Sequence, residues 1–265
     1  KIEKIFIKFN PDFVFHLAAQ SIVKHGFTSP ISTYETNVIG TLNIFEAGRK
    51  CSNLKGIINV TSDKCYENDD TKKKFNENDK LGGEDIYSSS KASSEILTNS
   101  YRESFLNLEN YKKTHNILLA SVRCGNVIGG GDSSDYRIIP DIIRSIIKKK
   151  LLVIRNPNSF RPWIYIFDCL RGYLTLGEKL LQKKKSYAKS YNFGPNSKNK
   201  NVKVIEIINF IEKRWKKIKK KYIKSKYFNE KKYLLLNTSL AQKELNWKPI
   251  ISIKEQMDLM SVCLA

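Results

Sequence analysis

Short apolar runs that alternate with longer stretches of helical spacing set the tightest limit on how this chain can fold. Pro11-Asp12-Phe13-Val14-Phe15-His16-Leu17 is a compact apolar run followed by small residues, and it predicts a buried strand. Thr28 or Ser29 can cap a helix that starts near Pro30 and runs to about Lys50, carrying Ile39, Leu42, Ile44 and Phe45. Lys55 to Thr61 predicts the next strand, and the polar stretch from Glu67 to Glu84 a loop. A helix from about Tyr87 to Leu106, a strand from Asn116 to Val122 and a helix over about Ile138–Lys149 continue the alternation. Strand and helix in turn predict an α/β fold, a doubly wound parallel sheet of Rossmann-like form.

Beyond about Leu151 the rhythm changes. Short strands are predicted at Leu151–Arg155, Trp163–Phe167 and Tyr191–Gly194, and helices near Asp168–Gln182, Val202–Lys219, Ser239–Leu245 and Ser252–Leu264. Residues 1–150 are therefore read as the sheet domain, and 151–265 as a smaller, mixed substrate-binding lobe interleaved with late strands. A dinucleotide-binding sheet normally opens with a strand and G-x-G-x-x-G, and no such motif occurs. The glycines from Gly125 to Gly131 come too late and have the wrong spacing, but they give a flexible turn where backbone can approach a ligand. The first βαβ unit is thus expected to be missing, and the chain alone to bind a dinucleotide weakly and turn over little.

The net charge of +21, from 47 basic and 26 acidic residues, raises a nucleic-acid reading. The lysines are dispersed, however, and no interleaved aromatic and basic residues form a stacking platform, so no nucleic-acid partner is expected. The densest segment, Lys213 to Tyr222, reads as a basic stripe or as a solvated helix face with apolar anchors. No apolar run is long enough to span a membrane, and Lys1 to Lys8 lack the apolar core of a secretory signal. The five cysteines, Cys51, Cys65, Cys124, Cys169 and Cys263, form no C-x-x-C pair and predict reduced thiols in a cytoplasmic protein. The three histidines are scattered, so no metal site is expected.

Chemistry concentrates at two places. Thr61-Ser62-Asp63-Lys64 ends a predicted strand, and Tyr87-Ser88-Ser89-Ser90-Lys91 opens a predicted helix. Tyr87 and Lys91 lie one turn apart on one helix face. An ammonium beside a phenol favours the phenolate, so the Tyr87 pKa is expected to fall from about 10 towards neutrality, making it a base for a sugar or alcohol hydroxyl. Strand alternation would point Ser62 and Lys64 one way and Asp63 the other, so all three share a pocket only if the chain turns after Thr61. Asp63 is either an acid or a cap for that turn.

Several segments together resemble the extended short-chain dehydrogenase/reductase family. They are His16-Leu17-Ala18-Ala19-Gln20, Thr36-Asn37-Val38-Ile39-Gly40-Thr41, Thr61 to Asn68, Leu81-Gly82-Gly83 ahead of Tyr87-Ser88-Ser89-Ser90-Lys91, Arg123 to Asp132, Arg137-Ile138-Ile139-Pro140-Asp141 and Arg161-Pro162-Trp163. Within the family, Asp63-Lys64 resembles the acid–base pair of the CDP-glucose 4,6-dehydratases; Lys64 stands where the dTDP-glucose relatives carry glutamate.

The resemblance implies NAD as cofactor and a nucleotide-sugar substrate. CDP-glucose would become the 4-keto-6-deoxy sugar and water through C4 oxidation, C5–C6 elimination and C6 reduction. It implies Tyr87 as base for the C4 hydroxyl, Lys91 as its partner and ribose ligand, Ser62 on the C4 oxygen, Asp63 as acid at C6 and Lys64 as base at C5. Ala18, Ala19 and Gln20 would line the cofactor, although tight helix–sheet packing explains the alanines equally well. Asn126, Arg137 and Arg161 would contact the nucleotide diphosphate, with surface ion pairs as the alternative for the arginines. It further implies a homodimer through a four-helix bundle of the helices near Pro30–Lys50 and Tyr87–Leu106. Ser133 departs from the tryptophan common in the family. Rival readings are an epimerase or decarboxylase of the same family, a non-catalytic basic binding protein and an inactive remnant.

Overall fold

The structure, a computed structural model, describes residues 1–196, 201–223 and 230–262. Its centre is a parallel sheet in which Phe13–His16, Gly56–Val60, Leu118–Cys124 and Ser190–Phe193 lie side by side in that order. Phe13 pairs with Gly56 and Gly56 with Leu118, so the strands start level and discharge their chain at one edge. Alternation gives the inner strands two buried faces. Ile58, Leu118, Ala120 and Val122 pack on one side with Tyr173, Leu176, Phe193 and Trp247. Ile57 and Leu119 pack on the other with Phe6, Phe45, Tyr101 and Leu106. Each such side chain contributes roughly 1.5–3 kcal/mol on burial.

After Cys124 the chain leaves the sheet and builds a second core from Ile128, Ile139, Ile142, Leu152, Ile154, Trp163, Ile207, Ile208 and Ile211. It returns to the sheet at Ser190–Phe193.

Several elements differ from expectation. The first residues form a helix, Ile2–Phe9, because Ile2, Ile5, Phe6 and Phe9 fall at helical spacing and Phe6 is buried. A second unexpected helix is Val23–Thr28. The strand expected to end at Val122 runs on through Cys124, and Arg123 is buried there against Glu95. Ser29 stands at the helix start, yet its side chain makes no cap; its carbonyl accepts from Thr33 Oγ1. The long helix is Pro30–Tyr34, a π turn at Glu35–Ile39, and then Gly40–Arg49. Asn37 in that turn accepts from the Gln20 amide at 2.8 Å and donates to the Gln20 carbonyl at 3.0 Å and to Ser90 Oγ at 2.9 Å.

Val202–Lys219 is not one helix. The helix is Val204–Arg214, Ile218 then drops into the lobe core, and Lys220–Tyr222 pairs in parallel with Leu152–Ile154. The basic segment is therefore not a single helix face. Trp163–Tyr165 is a shorter strand than expected, since the next helix begins at Ile166. The expected end of the last helix at Leu264, and Cys263 with it, lie outside the described residues.

The glycine cluster serves chain packing. A methyl at Gly125 would stand 2.1 Å from the Pro162 carbonyl oxygen, and one at Gly129 would stand 2.7 Å from Ile166 Cγ2. Gly131 alone has left-handed backbone, at φ +79°, and open space around it. Gly125→Ala is expected to cost about 1–3 kcal/mol as overpacking, read as a lower urea midpoint at unchanged slope.

Candidate active site

The site begins where the second strand stops. Val60 is its last residue, and Ser62 opens a single 3₁₀ turn, Asp63–Cys65. Ser62 Oγ caps that turn by accepting from the Lys64 amide at 3.2 Å, so the capping role falls to Ser62. The turn cancels the strand alternation. Ser62 Oγ donates to Asp63 Oδ1 at 3.0 Å, and the Tyr87 phenol lies close enough to the same hydroxyl for that hydroxyl to act on its titration. One hydroxyl has a proton and two lone pairs, enough for all three contacts. Ser62, Asp63 and Tyr87 are all buried.

Asp63 Oδ2 is buried without a hydrogen-bond partner. Burial pushes the Asp63 carboxyl up to about 6 against the opposing pull of the Lys64 charge, the Ser62 hydroxyl and the Arg161 charge. Near neutrality the group is therefore poised to hold or release a proton.

Tyr87 rides on the helix Ile86–Ser104, whose Asp85 cap accepts from the Ser88 amide at 2.9 Å and from Ser88 Oγ at 2.6 Å. The three serines between Tyr87 and Lys91 anchor this helix. Ser89 Oγ accepts from Tyr34 Oη at 2.9 Å, and Ser90 Oγ accepts from Asn37.

The expected lowering of the Tyr87 pKa is not found. Burial pushes the phenol up to about 12, with the Ser62 bond and the Arg137 charge pulling against it. Lys91 does not offset this because its ammonium points to the Val60 carbonyl oxygen, 3.3 Å away. Burial also pushes Lys91 down, to about 8. His16, which no sequence signal singled out, lies in the same polar layer with Nε2 3.1 Å from Thr41 Oγ1. Burial first, then the charge of Lys91, pushes it down to about 4, so it is neutral at pH 7.

A cleft of about 250 Å³ opens beside these groups, lined among others by Lys64, Glu67, Ser88, Arg161, Glu230 and Lys231. Ser62, Asp63 and Tyr87 are buried next to the lining residues Lys64 and Ser88. Arg161 is buried and largely engaged: it donates to the carbonyls of Phe160 and Lys231 at 2.8 and 3.0 Å and pairs with Glu230 at 3.2 Å.

The remaining expected ligands do not line this cleft. Arg137 pairs with Asp132 at 3.2 Å and donates to Ser21 Oγ at 2.9 Å. Asn126 sits on a short strand beside Trp163, its amide bonded to the Pro162 carbonyl. Ala18 is exposed and Ala19 half-buried just beyond the first strand. The Gln20 carboxamide is committed locally, donating to Thr33 Oγ1 at 2.9 Å and accepting from the Ile22 amide at 2.5 Å.

The largest omission from the sequence reading is the buried pair Glu95 and Arg123, 2.8 Å apart. Its signal was present, because Glu95 stands four residues after Lys91 on the same helix face.

Comparison with known proteins agrees with this layout. The family model described as GDP-mannose 4,6 dehydratase matches residues 1–260. A CDP-glucose 4,6-dehydratase of Salmonella typhimurium is 38% identical over 259 residues, covering 97% of this chain and 71% of the relative. A dTDP-glucose 4,6-dehydratase of the same organism is 25% identical, covering 94% and 71%. Among solved structures, the UDP-glucuronic acid 4-epimerase of Bacillus cereus in complex with UDP-glucuronic acid and NAD superposes with a TM-score of 0.84 at 22% identity, covering 100% of this chain and 78% of that one. The dTDP-glucose 4,6-dehydratase of Bacillus anthracis in complex with NAD gives 0.79 at 20% identity, covering 99% and 75%. The chain belongs to the GDP-mannose 4,6-dehydratase family, within the extended short-chain dehydrogenases/reductases.

Proposed function

We propose that this nucleotide-sugar 4,6-dehydratase acts on CDP-glucose with NAD, yielding CDP-4-keto-6-deoxyglucose and water. The observation that carries the reading is the contact chain from Tyr87 through Ser62 to Asp63, with Lys64 on the adjoining cleft wall. The 38% identity to a CDP-glucose 4,6-dehydratase supports the cytidine nucleotide.

The residues fit the nicotinamide end of the cofactor. Lys91 is buried at the carboxyl edge of a parallel sheet, where such sheets take nucleotides, and among the described residues its three donors meet one acceptor, the Val60 carbonyl. Lys91 and Tyr87 would hold the ribose, with Ala18, Ala19 and Gln20 nearby. NAD, when bound, supplies the hydride acceptor for C4, the hydride returned to C6 and a positive charge near the phenol.

The chain's own groups handle the protons. Tyr87 takes the C4 hydroxyl proton while Ser62 hydrogen-bonds the C4 oxygen. The resulting ketone acidifies the C5 proton, which Lys64 removes. Asp63, whose carboxyl burial brings close enough to neutrality to carry a proton, donates to the departing C6 hydroxyl. Arg161 on the cleft wall, with Arg137 and Asn126 further off, would meet the diphosphate. A homodimer through the helices near 30–50 and 86–104 has apolar surface available at Ile31, Ile39 and Ile96, all exposed. The described cysteines are free thiols, which supports a cytoplasmic setting, and none of the described helices is long and apolar enough to cross a membrane.

The test is incubation with CDP-, dTDP- and UDP-glucose in the presence of NAD. CDP-glucose is expected to react at least about tenfold faster by kcat/KM, as a site that hydrogen-bonds one base discriminates against others. The product is expected to show the alkaline absorbance of a 4-keto-6-deoxy sugar. A C4 epimer without loss of water would replace this reading with the epimerase one.

A further inference from the structure

We propose that Glu95 is a positioning residue for this chemistry, clamping the helix that carries Tyr87 and Lys91 to the strand end that carries Ser62 and Asp63; the inference rests on the dehydratase reading above. Its carboxylate collects donors from the residue after the second strand and from two neighbouring strands. Oε1 accepts from Thr61 Oγ1 at 2.5 Å. Oε2 accepts from Ser121 Oγ at 2.9 Å, from Arg123 Nη2 at 2.8 Å and from Ser190 Oγ at 3.3 Å. Arg123 carries the clamp onward, donating to Tyr66 Oη at 3.0 Å and to the Glu77 carbonyl at 2.9 Å beyond the 3₁₀ turn.

Thr61 immediately precedes Ser62, and Ser62 has to reach Tyr87 and Asp63 at once. Besides Glu95, Thr61 is held among the described residues by Val122 alone, through its amide at 2.8 Å and its hydroxyl at 3.1 Å. A buried ion pair is seldom more stabilising than apolar packing of the same volume, so stability alone does not account for this pair. Its placement under the reacting residues does.

Glu95 also has an electrostatic role one turn below Lys91. The groups facing Lys91 are Glu95 on its own helix, Cys65 from the 3₁₀ turn and His16 from the first strand. Burial keeps the Cys65 thiol and the His16 ring neutral at pH 7. For Glu95, burial is outweighed by the Arg123 charge and by bonds from Arg123, Thr61 and Ser121, which hold its carboxyl below the ordinary value. Glu95 is thus the anion that helps Lys91 keep its proton against burial.

Two isosteric variants separate positioning from mere stability. Thr61→Val removes one hydroxyl and leaves the ion pair intact; Glu95→Gln removes the charge. With CDP-glucose as substrate, both are expected to lower kcat about tenfold or more while KM stays within about twofold, the pattern of misplaced reacting groups. Glu95→Gln is further expected to lower the Lys91 titration midpoint by about one pH unit, followed by NMR of ¹³C-labelled lysine side chains, while Thr61→Val leaves it in place. If Glu95→Gln fails to fold, kcat of Thr61→Val decides. Variants that melt at lower temperature but keep the parent's kcat and Lys91 midpoint would overturn the inference and leave the dehydratase reading standing. A parent chain that converts no nucleotide sugar would overturn that reading and the inference with it.

Discussion

A chain carrying Tyr87→Phe is expected to fold as the parent does and to lose about 10³-fold in turnover of CDP-glucose, the size of effect that a positioned base supplies. The ring stays, so the helix Ile86–Ser104 keeps its packing. What is lost is one buried hydroxyl beside Ser62. Nothing else in the contact chain can replace it, because Ser62 is a poor base and Asp63, in the proposed reaction, acts at the C6 hydroxyl and not at the C4 oxygen. Substrate binding is expected to change less than about threefold, since the phenol acts mainly in the transition state. Single-turnover kinetics beside a binding titration measures both. Near-normal turnover by this variant would remove Tyr87 from the reaction.

Asp63→Asn is expected to have a divided outcome. Elimination should fall by about 10²–10⁴-fold, the range of general acid catalysis, because a carboxamide cannot give up a proton to the C6 hydroxyl. Oxidation at C4 does not need Asp63, so reduced nicotinamide should accumulate in a single turnover and be visible by its absorbance.

Stability should move the other way. The folded-state pKa of Asp63 is raised from 3.8 to about 6, so folding favours the protonated form. The resulting penalty is absent at pH values below 3.8, grows between 3.8 and about 6, and is complete above that. The shift corresponds to a penalty of about 3 kcal/mol in alkaline solution. Asp63→Asn removes it and should melt at a higher temperature than the parent at pH 8, with little difference at pH 4. Equal melting at pH 8, or an elimination rate like the parent's, would take Asp63 out of the acid role.

The sheet was legible because each inner strand carries a short run of large aliphatic residues. Ile57, Ile58, Leu118 and Leu119 have no reading other than a doubly buried strand. The site was legible where it is local in sequence: Ser62-Asp63-Lys64 lies on one turn, and Tyr87 and Lys91 on one helix face. What escaped was set by distance along the chain. Glu95 meets Ser121, Arg123 and Ser190 only because two strands distant in sequence pair side by side, and no spacing rule joins those positions. The direction of the Tyr87 shift escaped for a related reason. Proximity of Lys91 in sequence says nothing of how deeply the phenol is buried, or that the ammonium turns to the Val60 carbonyl. The stretch Val202–Lys219 was read as one helix because lysine suits both a helix face and an edge strand.

The π turn at Glu35–Ile39 makes chain length the sensitive variable in this segment. It holds one residue more than a regular turn, so the helical stretches on either side are out of phase by one position, about 100° of rotation. Exchanging the exposed Glu35 or Thr36 for another polar residue leaves that phase alone. A single deletion would instead re-aim everything upstream, swinging Thr33 away from Gln20 and Tyr34 away from Ser89 while leaving the overall helix continuous. Divergence by substitution is thus cheap here and divergence by deletion is not.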